Sequence, residues 1–173
     1  MATTAPVVFF ALWPDATLRA ALHEVAETVA HRTGGRATAA EKIHLTLVYL
    51  GPTLPEHILA VRTFAAAVRR PGFLLRIDRL GCWRHNNIAW AGVGEMPAEL
   101  ADLQKELQGG VHATGIAPDP RPYLPHVTLA RKAKSAFRTE SMPPLLWKAE
   151  RFCLAQSTAS GYTLIDEWDL LTD

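Results

Sequence analysis

The stretch His-Leu-Thr-Leu at residues 44–47 decides how this chain folds, and its pattern returns as His-Val-Thr-Leu at residues 126–129. In each copy apolar and polar residues alternate, which is the period of a β-strand with one buried face. The histidine and threonine of each copy therefore lie on the same face, with Cα atoms about 6.5 Å apart at the usual rise of a strand. Two such pairs predict one site built from two halves of the chain.

The composition is that of a globular protein, with 173 residues, 49% of them hydrophobic, and a net charge of +1. This balance excludes a global field that would capture nucleic acid, so any anion-binding surface must be local. The two cysteines, Cys82 and Cys153, fit neither a disulfide framework nor a zinc spacing and are expected to be free thiols. No run is long enough to span a membrane, and the apolar residues 7–13 lack a preceding basic residue. We therefore expect a cytoplasmic protein without membrane contact.

Hydrophobic periodicity predicts an alternation of strands and helices. Strands are expected at residues 6–13, 43–50, 73–80, 88–93, around 126, at 147–157 and at 162–171, and helices open at Asp15, Pro55 and Pro97. A glycine pair at residues 34–35 is expected to end the first helix, and a second pair at 109–110 to end or break the third, while residues 131–144 form a polar loop. The hairpins and the repeat favour antiparallel pairing, so the predicted class is α+β, with two pseudo-symmetric lobes.

Two imidazoles facing one another suit paired acid and base catalysis, because their intrinsic pKa lies near neutrality. The reaction that fits is cleavage of a phosphodiester: one of His44 and His126 would activate water while the other protonates the departing oxygen. Hydroxyl groups of Thr46 and Thr128 would donate hydrogen bonds to the non-bridging oxygens. The alternative is that each histidine is a core residue bonded to its neighbouring threonine.

Arg131 follows the second copy and is a candidate to bind the same phosphate oxygens through its guanidinium fork. The alternative is a surface arginine that ends a strand. Nearby Arg121, Lys132 and Lys134 predict a local positive patch. The other histidines are expected to be solvated or to lie on helix surfaces: His23, His31, His57, His85 and His112.

A metal centre and a nucleophilic triad are both disfavoured by the sequence. Neither copy of the repeat has a carboxylate or cysteine at a companion spacing for zinc. No serine or cysteine lies in an elbow-like turn. We expect no metal and no cofactor.

Residues 42–51 and 122–131 resemble the two signature segments of the two-histidine phosphoesterases, and especially the bacterial and archaeal RNA 2′,3′-cyclic phosphodiesterases, once described as 2′-5′ RNA ligases. The resemblance covers nearly the whole chain. It implies a single bilobal domain over residues 1–173, with antiparallel sheets flanked by helices around a central cleft. It also implies metal-free hydrolysis of RNA 2′,3′-cyclic ends to 2′-phosphates, and the reverse chemistry would join 2′-5′ linkages.

The same resemblance assigns His44 as proton donor to the leaving 3′ oxygen and His126 as the base acting on water. It suggests Tyr123 and Trp83 as base-stacking residues, although both could instead pack the lobes. The expected partners are RNA ends or nucleotides carrying a 2′,3′-cyclic phosphate, bound by a monomer. Two alternatives remain open: a non-catalytic RNA-end binding protein, and a phosphodiesterase of a small cyclic nucleotide metabolite.

Overall fold

A computed structural model describes residues 4–117 and 119–172, which form nine strands and three α-helices. The strands are β1 Val7–Leu12, β2 Arg36–Ala37, β3 Leu45–Pro52, β4 Phe73–Trp83, β5 Ile88–Val93, β6 His126–Arg131, β7 Glu140–Ala149, β8 Arg151–Ser157 and β9 Tyr162–Asp169. The helices are α1 Ala16–Thr33, α2 Pro55–Ala67 and α3 Ala98–Ala113, and a short 3₁₀ helix spans Ala40–Lys42.

The nine strands form one sheet whose order is β7-β4-β5-β6-β3-β1-β8-β9, with β2 paired to β6. Every pairing between named strands is antiparallel. The central strands β3 and β6 are joined through a single residue pair, Leu45 with Val127. This weak seam divides the sheet into two half-sheets, which confirms the predicted α+β class with two antiparallel lobes.

Local signals set the ends of the first helix as the sequence predicts. The Asp15 carboxylate accepts a hydrogen bond of 2.8 Å from the backbone N–H of Leu18, which satisfies one of the free donors at the helix start. At the other end Gly34 adopts φ 67°, a left-handed conformation that glycine reaches without steric cost. Helix α1 packs against β6 and β7, whereas α2 packs on β9 and α3 on β3.

The prediction that glycines 109–110 end or break the third helix is wrong, because α3 continues to Ala113. Gly110 is buried against α2, and a Cβ added there would lie 2.1 Å from the Phe64 ring. The glycine therefore serves close helix packing rather than helix termination. Gly109, by contrast, has no atom within 4 Å of such a Cβ.

Two predictions for the C-terminal third are also wrong. Residues 140–144, expected in a polar loop, already belong to β7, and the expected strand at 147–157 is divided between β7 and β8. These strands lie in different half-sheets, since β7 pairs with β4 and β8 pairs with β1. The sequence did not reveal the change of half-sheet because Glu150 is the one residue between the two strands. The hairpin strand β4 also extends to Trp83, three residues beyond the predicted end.

In the half-sheet formed by β3, β1, β8 and β9, the two faces contribute to different hydrophobic clusters. Phe10 and Leu12 on β1 belong to the main hydrophobic core. Phe9 and Ala11, on the opposite face, form a separate small cluster with Cys153 and Ala155. Both Cys153 and Cys82 are free thiols, as predicted. None of the helices in the described part of the chain is long and apolar enough to cross a membrane.

Candidate active site

The two copies of the repeat meet at the seam between the half-sheets. Leu45 and Val127 are paired across it and completely buried. Since neighbouring side chains of a strand point to opposite faces, His44 and Thr46 lie on the other face, and so do His126 and Thr128. These four side chains are partly exposed.

A β-bulge interrupts each copy at the same position. Thr46 pairs with Ala11 and Val48 with Phe10, so Leu47 has no partner on β1. Thr128 pairs with Trp90 and Ala130 with Ala89, so Leu129 has no partner on β5. A bulge shifts the alternation of faces by one residue. Tyr49 and Arg131, each five positions after a histidine, are thereby turned to the face of the histidines and threonines.

Two pockets lie at the seam, and each combines both copies of the repeat. A larger pocket of 550 Å³ is lined by His126 together with Thr46 and Tyr49. A smaller one of 260 Å³, which we call the basic pocket, is lined by His44 together with Thr128 and Arg131. Each pocket thus receives the histidine of one copy and the threonine of the other, as expected for a single site with pseudo-twofold symmetry.

Both imidazoles are held by the same backbone contact. The Nδ1 atom of His44 lies 2.7 Å from the carbonyl oxygen of Lys42, and that of His126 lies 2.8 Å from the carbonyl oxygen of Leu124. A carbonyl can only accept, so each Nδ1 carries the proton and donates it. The Nε2 atoms therefore remain available to the site. This arrangement argues against two core histidines bonded to their neighbouring threonines.

Burial disfavours a charge on either imidazole. The pKa of His44 is lowered to about 4, chiefly by burial and to a smaller extent by nearby His126 and Arg131, against the raising effect of the hydrogen bond to Lys42. Burial also lowers the pKa of His126, with a further contribution from Arg131. Repulsion from Arg131 contributes to the lowered pKa of both imidazoles, so a phosphate anion near them would have the opposite effect and stabilise their charged forms.

Aromatic side chains from separate strands surround His44, a feature that the repeat does not reveal. The Trp13 indole is stacked on the imidazole with centroids 4.8 Å apart and planes 15° apart. Phe9 is tilted against the same ring at 5.1 Å, and Tyr162 contacts it edge on at 4.9 Å. Sequence reasoning missed these contacts because β1 and β9 are brought to His44 only by the sheet.

The two predicted base-stacking residues line the larger pocket. Trp83 lies edge on to His126, with centroids 4.6 Å apart, and is tilted against Trp90 at 5.4 Å. The Tyr123 hydroxyl donates to the backbone carbonyl of Thr46 at 3.0 Å, and burial raises the pKa of this phenol. Tyr123 therefore makes a structural contact to the first repeat. Tyr49, which is exposed, is a further aromatic residue that lines the same pocket, and the sequence analysis did not single it out.

The positive patch is composed differently from the prediction. Arg121 lines the larger pocket, but Asp119 binds its guanidinium, and this pairing lowers the pKa of the carboxyl to about 2. Neither Lys132 nor Lys134 lines either pocket. The cations beside Arg131 are instead Arg36 and Lys42, both missed by the sequence analysis.

Two further expectations from the sequence concern a metal ion and the histidine His85. Within residues 4–117 and 119–172 there is no group of three or more histidine, cysteine, aspartate and glutamate side chains placed to hold a metal ion. His85, predicted to be solvated, is exposed as expected but also borders the larger pocket.

The fold is α+β, and two histidine and threonine pairs meet at the central seam of its sheet. These features are those of a two-histidine phosphoesterase. The chain belongs to the 2′-5′ RNA ligase superfamily, whose family model matches residues 13–161. The RNA 2′,3′-cyclic phosphodiesterase of Escherichia coli strain K12 is 32% identical over 169 residues, covering 94% of this chain and 96% of that protein.

Solved structures agree over almost the whole length. E. coli LigT in its apo form has a TM-score of 0.86 and 30% identity, with 97% of this chain and 99% of that chain covered. E. coli LigT complexed with 3′-AMP has a TM-score of 0.86 and 31% identity, with 95% of this chain and 98% of that chain covered. Both confirm the fold.

Proposed function

We propose that this chain is a metal-independent RNA 2′,3′-cyclic phosphodiesterase that opens the cyclic end to a 2′-phosphate. The observation that carries the proposal is the pairing of each histidine with the threonine of the other repeat in two pockets on one seam. Such an arrangement would allow an imidazole on each side of a phosphate bound at the seam. The name of the E. coli relative, an RNA 2′,3′-cyclic phosphodiesterase, supports this substrate class.

The reaction requires one proton transfer at each end of the in-line displacement. Nε2 of neutral His126 would take a proton from water as the water oxygen forms its bond to phosphorus. The bond between phosphorus and the 3′ oxygen breaks, and Nε2 of protonated His44 gives its proton to that oxygen. The product is a 2′-phosphate with a free 3′-hydroxyl, and the two histidines exchange protonation states.

The second requirement is that the site stabilises the negative charge on the non-bridging oxygens. Hydroxyl donors of Thr46 and Thr128 and the guanidinium of Arg131 fit this role, because all three border the same seam as the imidazoles. Arg131 is supported by the bulge at Leu129, which turns it to the histidine face. The charged guanidinium of Arg131 and the two hydroxyl donors would hold the phosphate without a divalent ion.

The larger pocket is suited to the terminal nucleoside. Its cation Arg121 is neutralised by Asp119, and its walls include the rings of Trp83 and Tyr49. Nucleobases stack on such rings in single-stranded RNA complexes. We propose Trp83 and Tyr49 as the stacking surfaces, with Tyr123 at the pocket wall holding Thr46. Since both histidines come from one chain, a monomer would contain the complete site.

The test is hydrolysis of a 2′,3′-cyclic phosphate RNA end in excess chelator. Activity should persist, and His44→Ala or His126→Ala should each lower kcat by about 10² to 10⁴ fold, the usual contribution of a general acid or base. His112→Ala, an exposed histidine on α3, is the matched control and should retain wild-type rates. Activity lost with the chelator, or retained in either active-site variant, contradicts the proposal.

Turnover also separates the enzyme from an RNA-end binding protein, because binding alone leaves the cyclic phosphate intact. Phosphorus NMR of the end group distinguishes a 2′,3′-cyclic phosphate from a 2′-phosphate. A 3′-phosphate as the product would reverse the assigned leaving oxygen and contradict the roles given to the two histidines.

A further inference from the structure

The basic pocket carries more positive charge than one phosphate requires. Arg36 and Lys42 line it together with Arg131, and no aspartate or glutamate in the described part of the chain lines it. Hydroxyl groups of Thr38, Thr128 and Tyr162 complete its polar wall. This composition differs from that of the larger pocket, where Asp119 binds the guanidinium of Arg121.

The three cations have no acidic partner among residues 4–117 and 119–172, whereas Arg32, Arg62, Arg70 and Arg151 all form ion pairs. Arg36 is moreover paired directly with Arg131 across β2 and β6. Like charges at directly opposed positions of two strands destabilise the sheet. Anions bound at these two residues would offset this repulsion.

The volume of the pocket gives room for a second anion. Its 260 Å³ corresponds to about nine water molecules at roughly 30 Å³ each, more than one phosphate group fills. His44 and Thr128 belong to the repeats that meet at the seam, where the proposed reaction would take place, and Arg131 ends β6. Arg36 comes from β2 and Lys42 from the short 3₁₀ helix, so these two cations come from separate elements preceding β3.

We propose that Arg36 and Lys42 form a second phosphate subsite, which binds the internucleotide phosphate next to the cyclic end of an RNA strand. The inference rests on the proposed function and extends it by naming the preferred substrate class. A strand of two or more nucleotides offers two phosphates to the basic pocket, whereas a cyclic mononucleotide offers one. The subsite therefore selects RNA ends over small cyclic nucleotides.

Three substrates separate the contributions of the two phosphates. The first is a nucleoside 2′,3′-cyclic phosphate, the second is a dinucleotide with the same cyclic end, and the third replaces the internal phosphate of that dinucleotide with a neutral methylphosphonate. The wild-type protein should show a higher kcat/KM for the dinucleotide than for the other two. Arg36→Met and Lys42→Met should each lower this advantage about tenfold, the usual effect of losing one charged hydrogen bond.

Lys105→Met is the matched control, because it removes one positive charge from exposed helix α3 outside both pockets. It should leave the ratio between dinucleotide and mononucleotide unchanged. An equal fall for both substrates in the Arg36 and Lys42 variants would show that these residues bind only the reacting phosphate and would overturn the subsite. A methylphosphonate dinucleotide that reacts as fast as the diester would overturn it too.

A binding measurement tests the subsite independently of turnover. Calorimetric titration with the dinucleotide 2′-phosphate should show about tenfold weaker binding to Arg36→Met or Lys42→Met than to the wild type, and a shallower dependence of log Kd on log salt. Equal affinities overturn the subsite even if the protein hydrolyses cyclic ends. Conversely, absence of hydrolysis with a retained affinity difference contradicts the proposed function alone.

Discussion

The indole of Trp13 is stacked on the imidazole of His44, with centroids 4.8 Å apart and planes 15° apart. The face of an indole carries negative potential, so this contact favours the imidazolium over the neutral ring. It opposes the effect of burial, which lowers the pKa of the same histidine. A proton donor in this position would depend on the stacked ring to retain its proton.

Replacement of Trp13 by leucine should therefore lower the pKa of His44 and reduce activity near neutral pH. A contact of this kind contributes about 0.5 to 2 kcal/mol, or about 2- to 30-fold in the protonated fraction. Trp13→Phe keeps an aromatic face and should lose less. NMR titration of the His44 ring in each variant measures the effect directly, and a higher pKa in Trp13→Leu would mean that relief of burial outweighs the lost stacking.

The pH dependence of kcat/KM should be a bell centred below pH 6.5. The rate falls at low pH as the base His126 becomes protonated, and it falls at high pH as the donor His44 loses its proton. The pKa of both groups is lowered in the free protein, that of His44 to about 4. Kinetics on a cyclic mononucleotide from about pH 3 to about pH 8 would measure both limbs, and a bell centred above neutrality would contradict this assignment.

The bell for kcat should lie at higher pH than the bell for kcat/KM. The first reports the substrate complex and the second the free protein. A bound phosphate anion favours both imidazolium forms, so it raises the pKa of each histidine. Identical profiles for kcat and kcat/KM would mean that the phosphate does not contact the imidazoles.

Part of this site follows from the sequence, because a period of two places His44 with Thr46 and His126 with Thr128 whatever the rest of the fold. Strict alternation would place Tyr49 and Arg131 on the face opposite the histidines. Bulges at Leu47 and Leu129 instead turn both side chains to the histidine face. The sequence proposes Arg131 by its chemistry, but only the bulge gives it the required face.

Contacts between distant strands lay beyond the reach of sequence patterns. Trp13, directly after β1, and Tyr162, at the start of β9, both contact His44. Arg36 on the two-residue strand β2 is paired with Arg131. No local periodicity encodes these pairings. The helix boundaries set by Asp15 and Gly34 were predictable because capping is a local interaction.

Gly81 provides the space for the indole of Trp90, its direct partner across β4 and β5. A Cβ at Gly81 would lie 2.1 Å from Cζ2 of that indole. Gly81→Ala should therefore displace Trp90 and disturb Trp83, which contacts His126. We expect a loss of about 1 to 3 kcal/mol in the free energy of unfolding from overpacking, together with a lower kcat.

The double variant Gly81→Ala with Trp90→Phe supplies the control, because the smaller ring vacates part of the space that the new methyl group enters. Urea unfolding and kcat should both recover toward the values of Trp90→Phe alone. If the double variant is as destabilised as the sum of the single variants, the two residues do not interact in the expected way.

Adjacent glycines in α3 should respond oppositely to alanine, although the sequence treats them as one helix-ending pair. At Gly109 a Cβ meets nothing within 4 Å, so Gly109→Ala should stabilise the protein by about 0.5 to 1 kcal/mol through helix propensity. At Gly110 the Cβ would lie 2.1 Å from Cε1 of Phe64, so Gly110→Ala should destabilise it by about 1 to 3 kcal/mol despite the same propensity gain. Combining Gly110→Ala with Phe64→Leu should recover part of that loss in urea unfolding. Equal effects at both glycines would mean that α2 and α3 do not pack closely at Gly110.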